Sequence, residues 1–378
     1  MPRVPVRALG PVAALTLAAC TPWQHVQTLE PGAAPAAVAA PAAAAGTSAP
    51  RAAGPVLEEQ ASGVGAVLQA VSAVGDEVAW VSGHDAAVLR TTDGGATWER
   101  LRVPGADSLE FRDVEAFGAN EAFLLAAGPG ARSRIYHTTD GGRTWTQQFV
   151  NAEPRAFYDC FAFFDERRGV TVSDAVDGRL LVRVTTDGGA HWDLVPPEAV
   201  PAAAAGEGAF AASGTCLATL GERLAWIATG SASASRVYRS GDGGRTWAVS
   251  AVPVVSGEAA GATSVAFRDP QHGVALGGRI AVATDTANQV AVTADGGITW
   301  TRGGRPPFAG AVYGSAWVPG TRPPALVAAG PGGLAVSRDD GATWTALSAN
   351  AYWAVGFASP RAGWAVGPRG RITRIRLE

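Results

Sequence analysis

TTDGGATW, residues 91–98, returns five more times along a chain of 378 residues. The later copies are TTDGGRTW (138–145), TTDGGAHW (185–192), SGDGGRTW (240–247), TADGGITW (293–300) and SRDDGATW (337–344). Their aspartates, Asp93, Asp140, Asp187, Asp242, Asp295 and Asp339, are spaced by 47, 47, 55, 53 and 44 residues. That period matches a four-stranded propeller blade of about 40–50 residues. Each copy follows a β-rich run such as RIYHT (134–138) and precedes a polar–apolar alternation such as WERLRV (98–103), so it reads as a hairpin turn. Asp can bond the N–H groups of its own turn, and Gly takes positive φ without steric cost. Trp opens the outgoing strand with a large apolar surface. The pattern is the Asp-box, or BNR repeat. Six equivalent aspartates cannot all line one site, so they are read as structural pins. His191 replaces the box Thr in the third copy and reads as a surface variant rather than a metal ligand.

Working outward, YWAVGFASPRAGWAVGPRGRITRIRLE (352–378) supplies three strands after the last box and no fourth. The stretch 54–75 aligns with 97–118, which puts Val56–Gln60 in an outer-strand position. The expectation is an all-β, single seven-bladed propeller over 55–378, about 46 residues per blade. An N-terminal strand would complete the last blade, and closure would leave no long exposed edge.

The segment 1–20 is basic, then apolar over a length too short to span a bilayer well. It ends Leu17-Ala18-Ala19-Cys20, which resembles a bacterial lipobox. Residues 21–54, dominated by Ala, Pro and Gly, read as a tether. The expectation is export, lipidation at Cys20 and anchoring to the cell envelope. Thr21, rather than Asp, favours the outer membrane facing the periplasm. Net charge is −3, which leaves no footprint for nucleic acid. All 30 basic residues are arginine, which removes lysine nucleophiles and Schiff bases. The five histidines are scattered, and neither a cofactor site nor a metal site is expected.

Repeats of the form GW-A-V-G followed by a strand and DGG-T-W resemble the photosystem II stability and assembly factors of the Ycf48/HCF136 type and related exported bacterial propellers. The likeness covers nearly all of 55–378. It implies a binding or assembly module rather than an enzyme, and a protein ligand. Sialidases share the boxes but need a Phe-Arg-Ile-Pro stretch; Phe111-Arg112-Asp113-Val114 departs from it at two positions.

In a propeller the boxes sit on one face, here called the bottom, and the loops between blades sit on the top. Long top loops are where function concentrates. They fall at Pro196–Gly214, Ser173–Gly178 and Arg279–Gln289. With the strand opening Phe157-Tyr158-Asp159-Cys160, they gather Tyr158, Asp159, Asp174, Asp177, Glu207, Arg279 and Asp285 into one sector. Tyr158 would offer an aromatic surface to a peptide or sugar, and the carboxylates would orient it. A glycan-acting hydrolase is the alternative, because two carboxylates at a set separation perform glycoside hydrolysis. Cys160 and Cys216 occupy equivalent positions on neighbouring inner strands, which leaves a disulfide or two buried thiols open.

Overall fold

The computed structural model describes residues 54–377. The lipobox with Cys20, and the tether except Gly54, lie outside the described residues. Seven four-stranded antiparallel sheets form the blades, and six of them run through consecutive strands. Their innermost strands are Leu68–Ala73, Phe111–Ala116, Tyr158–Phe163, Leu217–Leu220, Ala260–Phe267, Gly314–Val318 and Ala354–Ser359, defining blades 1 to 7. Blade 7 takes its outer strand, Val56–Ala61, from the N-terminal side. That strand pairs with Arg371–Arg376 in antiparallel register, from Val56 opposite Arg376 to Ala61 opposite Arg371. The ring is therefore closed by strands from both ends of the described chain, as the sequence predicts. No helix among the described residues is long and apolar enough to cross a membrane.

The hydrophobic core is divided among the seven gaps between neighbouring blades, one apolar cluster in each. Aromatic side chains fill them. Trp80 and Trp364 are fully buried, and Trp226 stacks on Phe267 with ring centroids 3.6 Å apart. Truncating a side chain of this kind typically costs about 3–5 kcal/mol.

Each box is a closed set of hydrogen bonds between the third and fourth strands of its blade. In the first, Thr97 donates its backbone N–H to Asp93 Oδ1 at 2.9 Å and its hydroxyl to Oδ2 at 2.6 Å. The Thr91 hydroxyl donates to Oδ1 at 2.8 Å while its oxygen accepts from the Gly95 N–H. His191 takes the threonine's part in the third box, its Nδ1 standing 2.6 Å from Asp187 Oδ2. In the sixth box Asp340 replaces the first glycine and adopts φ 56°. Both its oxygens accept from Arg268 at 2.8 Å, which compensates for the left-handed backbone.

Candidate functional site

The top of the channel is organised by one loop and a set of bulges. The connection between blades 3 and 4 does not stay on the rim. Residues 207–214 are all buried, and the segment Glu207–Thr215 crosses the mouth of the channel as a plug. Its start is fixed by Glu207, whose side chain is sealed from solvent. This carboxylate forms an ion pair with Arg236 and accepts from the Thr229 hydroxyl at 2.7 Å and the Ala204 N–H at 2.7 Å. Its end is fixed by a disulfide between Cys160 and Cys216, with Cα atoms 6.1 Å apart. Between these points, Gln69 of blade 1 donates to the Ala211 carbonyl at 2.7 Å, and Ser213 donates to the Tyr313 carbonyl of blade 6 at 2.7 Å. Phe210 is buried against Gly230 and Gly261, where any Cβ would strike its ring.

The inner strands of blades 1, 2, 3 and 5 share a register shift near their top ends, skipping Gln69, Arg112, Asp159 and Thr263. A bulge re-aims a side chain that strict alternation would direct elsewhere. All four skipped residues are polar and buried. Gln69 reaches the plug and also meets His84 Nε2 at 2.7 Å. Arg112 donates to Glu110 at 2.9 Å through Nε and lies over the half-buried Phe157 ring, 5.8 Å from its centroid. Burial holds His84 below its ordinary pKa. Burial would raise Glu110, but the Arg112 guanidinium more than offsets it and leaves the carboxyl below its ordinary value.

Asp159 and Asp174 meet beneath the plug. Their carboxyls face each other, a contact that only a shared proton makes a hydrogen bond. Asp159 Oδ2 has no N–H or O–H donor among the described residues, consistent with that proton. Burial, and then the charge of Asp174, push Asp159 well above the carboxylate range. Asp174, half-buried, is raised in the same direction and for the same cause. Deeper in the channel, burial lifts Asp113 well above its ordinary value and Glu115 to about 7, although each accepts a backbone N–H from the neighbouring strand of blade 3.

The expected sector is therefore brought together only in part. Asp159, Asp174 and Glu207 converge on the plug. Tyr158 is fully buried and is not an aromatic platform. Its neighbour occupies the bulge, so the ring turns into the gap between blades, where its hydroxyl accepts from Arg183 at 2.7 Å. Asp177 is exposed in a bidentate pair with Arg155 at 2.7 and 2.9 Å. Arg279 and Asp285 neutralise one another at 2.9 Å within their own loop. The supposed loop Ser173–Gly178 is mostly strand, because a bulge at Asp174 lets Gly169–Val176 continue to a two-residue turn. Gln69, His84, Glu110, Arg112 and Thr263 were not anticipated. The available signal was a polar residue second in the inner strands, as in LQAV, FRDV and YDCF.

Two carboxyls in direct contact are closer than the roughly 5 Å that a retaining glycosidase pair requires. Asp159 is moreover buried. No group of three or more His, Cys, Asp or Glu among the described residues could hold a metal ion.

Residues 56–157 match the sequence model of the family described as photosynthesis system II assembly factor YCF48. No curated protein matches the chain in sequence. Among solved structures, a YCF48 described as bound to D1 peptide aligns with 17% identity and a TM-score of 0.61, over 87% of this chain and 98% of that one. YCF48 from Cyanidioschyzon merolae aligns with 16% identity and a TM-score of 0.57, over 85% of this chain and 98% of that one. The WD40 propeller domain of Doa1 aligns with 13% identity and a TM-score of 0.55, over 85% of this chain and 97% of that one. The chain is a seven-bladed β-propeller, similar in fold to these YCF48 structures and, over residues 56–157, in sequence to the YCF48 family.

Proposed function

We propose that this chain is an exported, membrane-tethered binding propeller that recognises a polypeptide across its top face. The observation that carries this reading is the plugged mouth. A partner approaching from the top meets a surface, because residues 207–214 already fill the channel opening. Surfaces of this kind suit macromolecules, whereas small molecules favour concave, enclosed sites. Around the plug stand the half-buried rings of Phe157 and Trp353, the His84–Glu110–Arg112 group and the exposed Arg155–Asp177 pair. Aromatic anchors with polar neighbours are the usual material of protein interfaces. The likeness in fold to a YCF48 described as bound to a peptide supports a protein ligand. The tether rests on Leu17-Ala18-Ala19-Cys20; lipidation there would hold the propeller at the cell envelope, facing the periplasm.

The test compares faces. Proteins cross-linked to the tagged chain in intact cells are quantified by mass spectrometry for three versions: wild type, Phe157→Ala/Trp353→Ala on the top, and Arg143→Ala/Ile298→Ser on the box face. The reading expects one partner set to disappear only from the top-face variant. Loss confined to the box-face variant would move recognition to the bottom. Tethering is tested apart from this, by fractionating Cys20→Ala. Membrane recovery equal to wild type would refute the anchor.

A further inference from the structure

We propose that the Glu207–Thr215 plug is a pH-sensitive gate, seated while the Asp159–Asp174 pair beneath it holds a proton and released when that proton passes to solvent. This inference concerns the channel and does not depend on the partner proposed above.

The geometry builds such a device at one place. Both carboxyls lie under the plug backbone, with the Ala211 and Ala209 N–H groups facing Asp159 and Asp174 respectively. Gly208 sits so close to Asp174 that a Cβ there would collide with the carboxyl, and Gly214 stands in the same relation to Asp113. Any movement of these acids is therefore felt directly by the plug. Its ends are fastened independently, by the Glu207–Arg236 pair and the Cys160–Cys216 disulfide. Release would therefore free only the middle of the segment, and it would remain reversible.

The surrounding charges do not neutralise a second ionisation. From the inner strand of blade 2, Arg112 attracts Asp159, but its guanidinium is already bound to Glu110. The same strand presents Asp113 and Glu115, both carboxyls. Before that strand, Glu110 is shared with Arg112, and His84 lies 3.9 Å from Glu110. On the plug itself, Glu207 is bound by Arg236. Within blade 3, Arg183 is engaged by the Tyr158 hydroxyl, and Arg155 by Asp177. A fully ionised pair would thus place two negative charges in contact, with Asp159 buried, where like charges repel strongly.

The sign follows from linkage. Burial raises both carboxyls above their ordinary 3.8, and the charge of Asp174 raises Asp159 further, so the last proton of the pair leaves from Asp159. Closure is then fully favoured below pH 3.8 and weakens as the pH rises through the raised values of the pair. The open fraction should rise with pH over that interval and level off above it.

Hydrogen exchange of the whole chain tests this between pH 5 and 8, with each rate corrected for intrinsic base catalysis. Amides of residues 208–213 should lose protection as the pH rises, while those of Gly273–Arg279 in blade 5 lose far less. Asp174→Asn keeps the side-chain size and supplies a donor to Asp159, and it should flatten the plug's dependence. Constant plug protection in the wild type, or an unchanged slope in Asp174→Asn, overturns the proposal. If that variant does not fold, carboxyl carbon resonances of the wild type decide. Buried aspartates protonated at pH 5 that ionise in step with plug exposure support the gate. Aspartates already ionised at pH 5 exclude it.

Discussion

The box face and the plugged mouth use the same side chain to opposite ends. At the bottom, the Thr97 hydroxyl and backbone N–H hold Asp93 ionised, down to about 2. Asp140 and Asp295 are held at about 2 by Thr144 and Thr299 in the same way. At the mouth and in the channel, Asp113, Asp159 and Asp174 are raised instead, because burial removes the water that would stabilise their charge. The difference teaches that an aspartate's role here is set by its supply of donors. Turn amides and a threonine hydroxyl, open to water, make a permanent anion. A channel wall with few donors makes an acid that keeps its proton.

The contrast can be broken or sharpened by experiment, beginning with the covalent fastening that the boxes lack. The Cys160–Cys216 bridge closes a loop with a sequence separation of 56 residues, for which chain entropy predicts about 4 kcal/mol. Cys160→Ser/Cys216→Ser should lose about 3–4 kcal/mol in denaturant unfolding. A loss below about 1 kcal/mol would mean that packing alone seats the plug.

Next in size is a channel acid. Glu115 is raised to about 7 by burial, against an ordinary 4.5, so its stabilising contribution is complete below pH 4.5 and lost as the pH rises through 7. It retains some contact with solvent, which reduces the penalty. Glu115→Gln should therefore stabilise the protein by about 1–2 kcal/mol at pH 8 and change little at pH 4. Thermal unfolding at the two pH values checks this, and equal effects at both would contradict burial as the cause.

Removing a box aspartate should do less, because the turn is exposed and water replaces the lost partners. Asp242→Ala leaves the Thr246 N–H and hydroxyl without their acceptor. It should lower the thermal midpoint by about 1–3 °C while leaving plug exchange unchanged. A change in plug exchange would show that the two faces are coupled. The smallest effect belongs to His191. Its carboxylate partner Asp187 raises the imidazole pKa above the ordinary 6.5. The contact is present below pH 6.5 and lost as the pH rises through the folded-state value. His191→Thr should remove this weak dependence, visible as parallel thermal midpoints between pH 6 and 8.

The boxes were legible because each is local: donor, acceptor and glycines fall within eight residues, and the same solution recurs six times. Blade number and closure were legible because a count of strands left one blade a strand short and found that strand at the other end. The site was not legible in the same way. Tyr158 and Asp159 are adjacent, yet one is fixed in an inter-blade gap and the other faces the channel, because of a bulge that neither residue type announces. Asp177, Arg279 and Asp285 looked convergent, but each found a partner close at hand.

What the sequence determined by itself was therefore the turn chemistry, the length of a blade, the number of blades and the pairing of Val56–Ala61 with Arg371–Arg376 at the two ends of the described residues. Tertiary structure decided which polar residues share an environment. Gln69, Arg112, Asp159 and Thr263 come from four different blades, and only the closed ring brings them round one axis. The plug crosses that axis because ring closure leaves a channel wide enough to receive it. With it in place, Asp159 is buried and Asp174 half-buried. Their protonation is a property of that enclosure, which no local stretch of sequence encodes.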